Sequence, residues 1–261
     1  MKSMKNTLLM AMVAAGCAAV GTAQATVVNI QFAGTGVYSG QAGSFSGHQG
    51  AYTADGVAAP TWNVLFETNT SSSGSMSNLL ASNSTATTPV ATTEAVSFAS
   101  SGTYSNGTTP NNNLLDGFLV FSGTVTLTGL TDNGKYQLYL YGQNGGFDNN
   151  GAKFSISTGT GTPATGSNAI AANPATVSGT FQENANYVIF NAQANATGTL
   201  AVNWAAPGVT NSGTTNGGYE GDFNGLQVIS SAAAVPEPAS VGLMGAGALG
   251  LLLLGRKRKT A

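Results

Sequence analysis

Between residues 26 and 234 the apolar residues of this chain recur at every second position, in runs of four to nine residues bounded by Gly, Asn, Asp or Pro. Successive side chains of a strand point to opposite faces, so such runs read as half-buried β-strands. The clearest are residues 28–32, 62–66, 118–130, 136–141, 154–156, 187–190, 200–204 and 223–229. Only residues 76–81 have a spacing that predicts a short turn of helix. Eight short strands with these punctuators predict an all-β body, an antiparallel β-sandwich of jelly-roll type.

Turn chemistry points the same way. Asn133-Gly134 tolerates positive φ and predicts a tight hairpin between the strands on either side. Residues 69–88, 101–113 and 159–174, rich in Thr, Ser, Gly and Asn, predict long surface loops.

Charge narrows the chemistry. Only 7% of the residues are charged, against about 25% in an average chain. Six of the eight basic residues lie at the two ends, as Lys2, Lys5, Arg256, Lys257, Arg258 and Lys259. Lys135 and Lys153 remain in the body against nine acids, so residues 26–234 carry −7 rather than the −2 of the whole chain. Two cations cannot build a phosphate-binding stripe, and nucleic acid is excluded as a partner. One Cys and one His give no clustered ligands for a zinc site. His48 sits in a Gly-rich stretch with no nucleophile beside it and predicts a solvated loop residue. Nine acids leave open a carboxylate pair of the kind a glycoside hydrolase or lyase needs, but nothing in the sequence selects one. The body is expected to be non-catalytic.

The ends read as addresses. Lys2 and Lys5 precede an uncharged apolar run over residues 8–20 and the exit Ala23-Gln24-Ala25, which together predict a secretory signal peptide over residues 1–25. Cys17 also follows a stretch that could serve as a lipoprotein cleavage site, where its thiol would be acylated. Cleavage after Ala25 leaves a mature chain without cysteine, whose core must hold without disulfides. At the other end, residues 231–238 are a linker containing Pro236-Glu237-Pro238. The 17 uncharged residues 239–255 predict a transmembrane helix, and residues 256–261, with Arg256, Lys257, Arg258 and Lys259, a basic cytoplasmic tail. The Pro-Glu-Pro motif, the short Gly-rich span and the basic cluster, in that order over residues 235–260, resemble the PEP-CTERM sorting signal of bacteria that make an extracellular polysaccharide matrix. That resemblance implies a sorting protease of the exosortase type as partner, a membrane-anchored precursor, and a final place at the cell envelope surface or in the matrix. The body, over residues 26–230, carries Asn29-x-x-Phe32, Thr61-Trp62-Asn63, Tyr136-x-Leu138-Tyr139-Leu140-Tyr141-Gly142 and Phe223-Asn224-Gly225-Leu226-Gln227-Val228. It resembles a β-sandwich domain found in secreted PEP-CTERM proteins of planctomycetes and Verrucomicrobia. This implies a galactose-binding-like or jelly-roll fold with no established activity.

Two clusters are candidate sites. Asp148 and Asn149, and Glu220 and Asp222, place hard oxygen ligands beside flexible Gly, as Ca²⁺ sites require. Equally, the first is a hairpin turn and the second a solvated loop before the last strand. Tyr141, Gln143, Asn144 and Phe147 lie next to the first cluster, where exposed aromatic faces would stack on a sugar and amides would bond its hydroxyls; equally, Tyr141 belongs to a buried strand. These residues define a lectin-like, carbohydrate-binding alternative, with extracellular polysaccharide as the ligand.

Overall fold

The alternating runs form nine strands. They are β1 (Val27–Gly34), β3 (Thr61–Glu67), β7 (Gly117–Leu119), β8 (Gly123–Thr128), β9 (Lys135–Tyr141), β10 (Lys153–Thr158), β12 (Tyr187–Gln193), β13 (Leu200–Ala205) and β14 (Gly225–Ser230). Five further strands carry weaker patterns: β2 (Gly43–Ser46), β4 (Ser73–Met76), β5 (Ala95–Ser100), β6 (Thr103–Ser105) and β11 (Thr160–Pro163). The computed structural model describes residues 25–34, 43–46, 57, 60–68, 71–85, 88–105, 114, 117–142, 151–170, 181–207 and 221–231. No helix occurs among them, and residues 25–231 form one compact unit. The predicted signal peptide up to Gln24, the linker beyond Ser231, the membrane helix and the basic tail lie outside the described residues.

A seven-stranded sheet runs in the order β11-β12-β9-β14-β1-β3-β2, and a five-stranded one in the order β10-β13-β8-β5-β4. Strands β6 and β7 form a separate pair. The inner faces of the two larger sheets share a single core. Val28, Ile30 and Phe32 of β1, Leu138 and Leu140 of β9 and Leu226 and Val228 of β14 meet Val96, Phe98, Val125, Leu127, Val202 and Trp204 of the other sheet. Phe223 sits at the centre of an aromatic cluster, its ring 5.3 Å from Phe32, 5.0 Å from Phe154 and 5.5 Å from Trp204. On the outer face of the five-stranded sheet Ser97 and Ala99 of β5 pair with Thr126 and Thr124 of β8, which pair with Ala201 and Asn203 of β13, and the exposed Lys153 of β10 pairs with Ala205 on the same face.

Several expectations need correction. The fold is rich in antiparallel pairs but not wholly antiparallel, because β1 and β3 run parallel, Asn29 beside Trp62. Parallel neighbours need a crossover of about a dozen residues or more, and residues 35–60 supply it. Asn133-Gly134 makes the expected tight turn, with Asn133 at φ 55° and Gly134 N–H donating to Thr131 C=O at 2.8 Å. It joins no hairpin, however, since β8 and β9 belong to different sheets. The run over residues 118–130 breaks at Phe121, which adopts φ 64° and leaves its ring 45% exposed, so that β7 and β8 pair with different strands.

Residues 76–81 form no helix: β4 ends at Met76, and Leu80 and Ala81 make isolated bridges. The predicted loops likewise contain β4, β6 and β11, and they are anchored by Leu79 and Ile170, which are fully buried. A single large apolar side chain suffices to pin an otherwise polar stretch to the core. Glycine is required at Gly129, where φ is +73° and a Cβ would collide with Thr93 C=O.

Candidate functional site

Period-two alternation places Asn29 and Gln31 of β1, Trp62 of β3, Gln137, Tyr139 and Tyr141 of β9, Tyr187 and Ile189 of β12 and Gln227 of β14 on the outer face of the seven-stranded sheet. Half of that face is closed. Every residue of β1 is buried, because Trp62, Tyr141 and Leu114 form a second small core on this side, with Tyr139, Phe181 and Tyr187 packed against it.

Buried amides require hydrogen-bond partners, at a cost of about 1–3 kcal/mol for each group left without one. Here they bond one another across four strands. The Tyr141 hydroxyl donates to Gln227 Oε1, Gln227 Nε2 donates to Asn29 Oδ1 at 2.9 Å, and Asn29 Nδ2 donates to Thr61 C=O at 2.9 Å. From the inner face, Asn63 Nδ2 donates to Asn29 C=O and to Leu80 C=O, both at 2.9 Å, and Leu80 N–H donates to Asn63 Oδ1 at 2.8 Å. This chain fixes the register of β9, β14, β1 and β3. It is structural, and its polar atoms are already engaged with one another.

Among the described residues, the other half of the face is open. Tyr139 and Tyr187 are half-buried and stack with centroids 5.6 Å apart and ring planes 27° from parallel. Glu183 lies beside Tyr187 and accepts a hydrogen bond from Thr165 Oγ1 at 2.9 Å. Burial, and then the Glu183 carboxylate, raise the Tyr187 phenol above its ordinary pKa of 10.0. A phenol that ionises later in the folded chain than in the unfolded one contributes stability below pH 10.0 and loses it as pH climbs through the raised value. Unfolding free energy measured against pH should therefore fall above pH 10.0, and less steeply in Tyr187→Phe.

Further along the same strands the rows become polar. Lys135 pairs with Gln193, which pairs with Thr160; Gln137 pairs with Asn191, which pairs with Thr162. They border a groove of about 390 Å³ lined by Lys135, Asn191, Gln193, Thr160, Thr162 and Ser231, among others.

Of the candidate residues, Tyr141 and Asp222 lie among the described ones, and Tyr141 follows the buried-strand reading rather than the exposed one. Tyr141 is not exposed: its ring is fully buried, packed edge-on against Trp62 and Phe181, so it cannot stack on a ligand. Asp222 is not in a solvated loop: it too is fully buried, with its backbone N–H donating to Gly151 C=O at 3.0 Å. Gln143, Asn144, Phe147, Asp148, Asn149 and Glu220 lie outside the described residues, as do Pro236, Glu237, Pro238 and the basic cluster. Among the described residues no three His, Cys, Asp or Glu side chains come together. The open half of the sheet was missed because Gln137, Asn191, Gln193 and Thr160 look like ordinary outward-facing strand residues. The available signal was their repetition on neighbouring strands beside Tyr139 and Tyr187.

One comparison with known proteins bears on this chain. Residues 234–259 match the PEP-CTERM protein-sorting motif. The match covers residues 234–238 of the linker with Pro236-Glu237-Pro238, the apolar span and the basic cluster, beginning three residues after the last described residue, Ser231. A PEP-CTERM tail implies export, membrane-associated sorting and processing by an exosortase. No curated protein and no solved structure matches the chain.

Proposed function

We propose that this is an exported, non-catalytic protein of the cell surface or extracellular matrix, held at the membrane by residues 239–255 until its PEP-CTERM tail is processed. The body acts as a β-sandwich of jelly-roll or galactose-binding-like type. The observation that carries this reading is the sorting motif at residues 234–259, directly behind a two-sheet body. The outer face of the five-stranded sheet, built of Ser, Thr, Ala and Asn with the single cation Lys153, and the interlocked amides of the other sheet suit a protein built for persistence outside the cell. Fractionation of a native-type host should recover the body with the envelope or matrix. Recovery in the cytoplasm would contradict the proposal.

A second reading is a lectin-like module that uses the Tyr139–Tyr187 side of the seven-stranded sheet. It is favoured by the half-buried Tyr139–Tyr187 ring pair beside rows of amides and hydroxyls. Sugars present apolar C–H faces between hydroxyl groups, and such a surface offers a partner for each.

A further inference from the structure

The open half of the seven-stranded sheet carries more information than a general affinity for sugars. Its polar end has one cation, Lys135, whose side chain is exposed and borders the groove. Only one other cation, Lys153, exists between residues 26 and 231, and it lies on β10, in the other sheet. Among the described residues no acid lines the groove; the other polar lining side chains are amides and hydroxyls. Four residues along β9, on the same face, stands Tyr139, about 13 Å away at the rise of an extended strand. At the far end is Glu183, beside Tyr187. The face therefore runs from a positive end, through hydroxyls and amides, to an aromatic stack with a carboxylate behind it.

We propose that this face binds an acidic saccharide, with a uronate carboxylate at Lys135 and a neighbouring ring on the Tyr139–Tyr187 stack. The proposal rests on the carbohydrate reading above and adds the ligand's charge and orientation. A lone ammonium among neutral donors and acceptors favours a carboxylate over a neutral hydroxymethyl group through a charge-assisted hydrogen bond. In a body of net charge −7 that attraction has to be local. Hydroxyls of the intervening rings meet Asn191, Gln193, Thr160 and Thr162. Glu183 accepts from a hydroxyl of the last ring and repels a second carboxylate there, so the chain enters in one direction. A protein partner fits less well, because interfaces centre on an apolar core. Among the described residues, Val90 and Phe121 are the exposed large hydrophobics, and neither lies on β9, β11 or β12.

The test is calorimetric titration of the full chain in mild detergent with tetramers that carry a single terminal uronate, neutral tetramers of the same length and short poly-glutamate. The uronates should bind most tightly. Lys135→Gln should weaken them about tenfold and leave neutral tetramers unchanged. Tyr187→Ala should weaken both kinds of saccharide, and Lys153→Gln neither. Circular dichroism of each variant reports that it is folded. Equal binding of neutral and acidic tetramers, unaffected by Lys135→Gln, would overturn the carboxylate site while leaving the carbohydrate reading standing. Poly-glutamate binding as tightly as the uronates would overturn the saccharide claim, and no binding of any tetramer would remove both.

Discussion

Replacing Phe223 by alanine should lower the unfolding free energy by about 4 kcal/mol, the cost of truncating a fully enclosed aromatic. Its ring is fully buried and contacts Phe32 on one sheet and Phe154 and Trp204 on the other, all within 5.5 Å between centroids. The loss has two parts: the transfer of the ring's apolar area, and a cavity that the surrounding aromatics cannot fill without leaving their edge-on packing. Collapse is also resisted by the backbone, since Phe223 and Leu119 exchange two hydrogen bonds of 2.9 Å that tie the start of β14 to β7. For a body of this length the melting temperature should drop by roughly 10 °C. Phe121→Ala supplies the control, because that ring is 45% exposed and should change stability by less than about 0.5 kcal/mol. Urea unfolding of both variants is the measurement. Equal losses for the two would mean that Phe223 does not join the sheets.

Much of this architecture could be read from residue order. The alternation of Val28, Ile30 and Phe32, or of Leu138 and Leu140, marks the faces that meet in the core, and turn residues mark where strands stop. What escaped detection has physical reasons. β4 and β11 each lie at the edge of a sheet and contain only Ser, Gly, Met, Thr and Pro, with no residue fully buried on either face, so they carry almost no hydrophobic signal. β1 was legible as a strand but not as one enclosed on both sides, because Asn29 and Gln31 resemble solvent-facing residues. Their burial depends on Leu114 and Trp62, which lie far away in the chain.

The same limit governs the candidate site. Tyr139 and Tyr141 point to one face of β9, and period two cannot distinguish them. Tyr141 is closed over by Leu114, Trp62 and Phe181, whereas Tyr139 stacks on Tyr187 at the boundary of the open half. Which tyrosine is available to a ligand is decided by packing partners remote in sequence. The targeting information is different in kind. It resides in contiguous residues, Pro236, Glu237 and Pro238 followed by an apolar span and four basic side chains, and needs no folding to be recognised.

Replacing Pro236, Glu237 and Pro238 by alanine should therefore abolish processing while leaving the body untouched. The body is a compact unit ending at Ser231, so the substitutions fall beyond its core. The apolar span and Arg256–Lys259 cluster remain in place, and the unprocessed chain should accumulate in the membrane fraction. Removing a protease's recognition element is expected to change the product completely rather than by degrees. The decisive measurement is the intact mass and cellular fraction of the wild-type and triple-alanine chains in a native-type host with an active exosortase. The proposed sorting predicts a shortened wild-type body at the surface or in the matrix, and a full-length, membrane-held triple variant. An unchanged mass and location for the variant would contradict it.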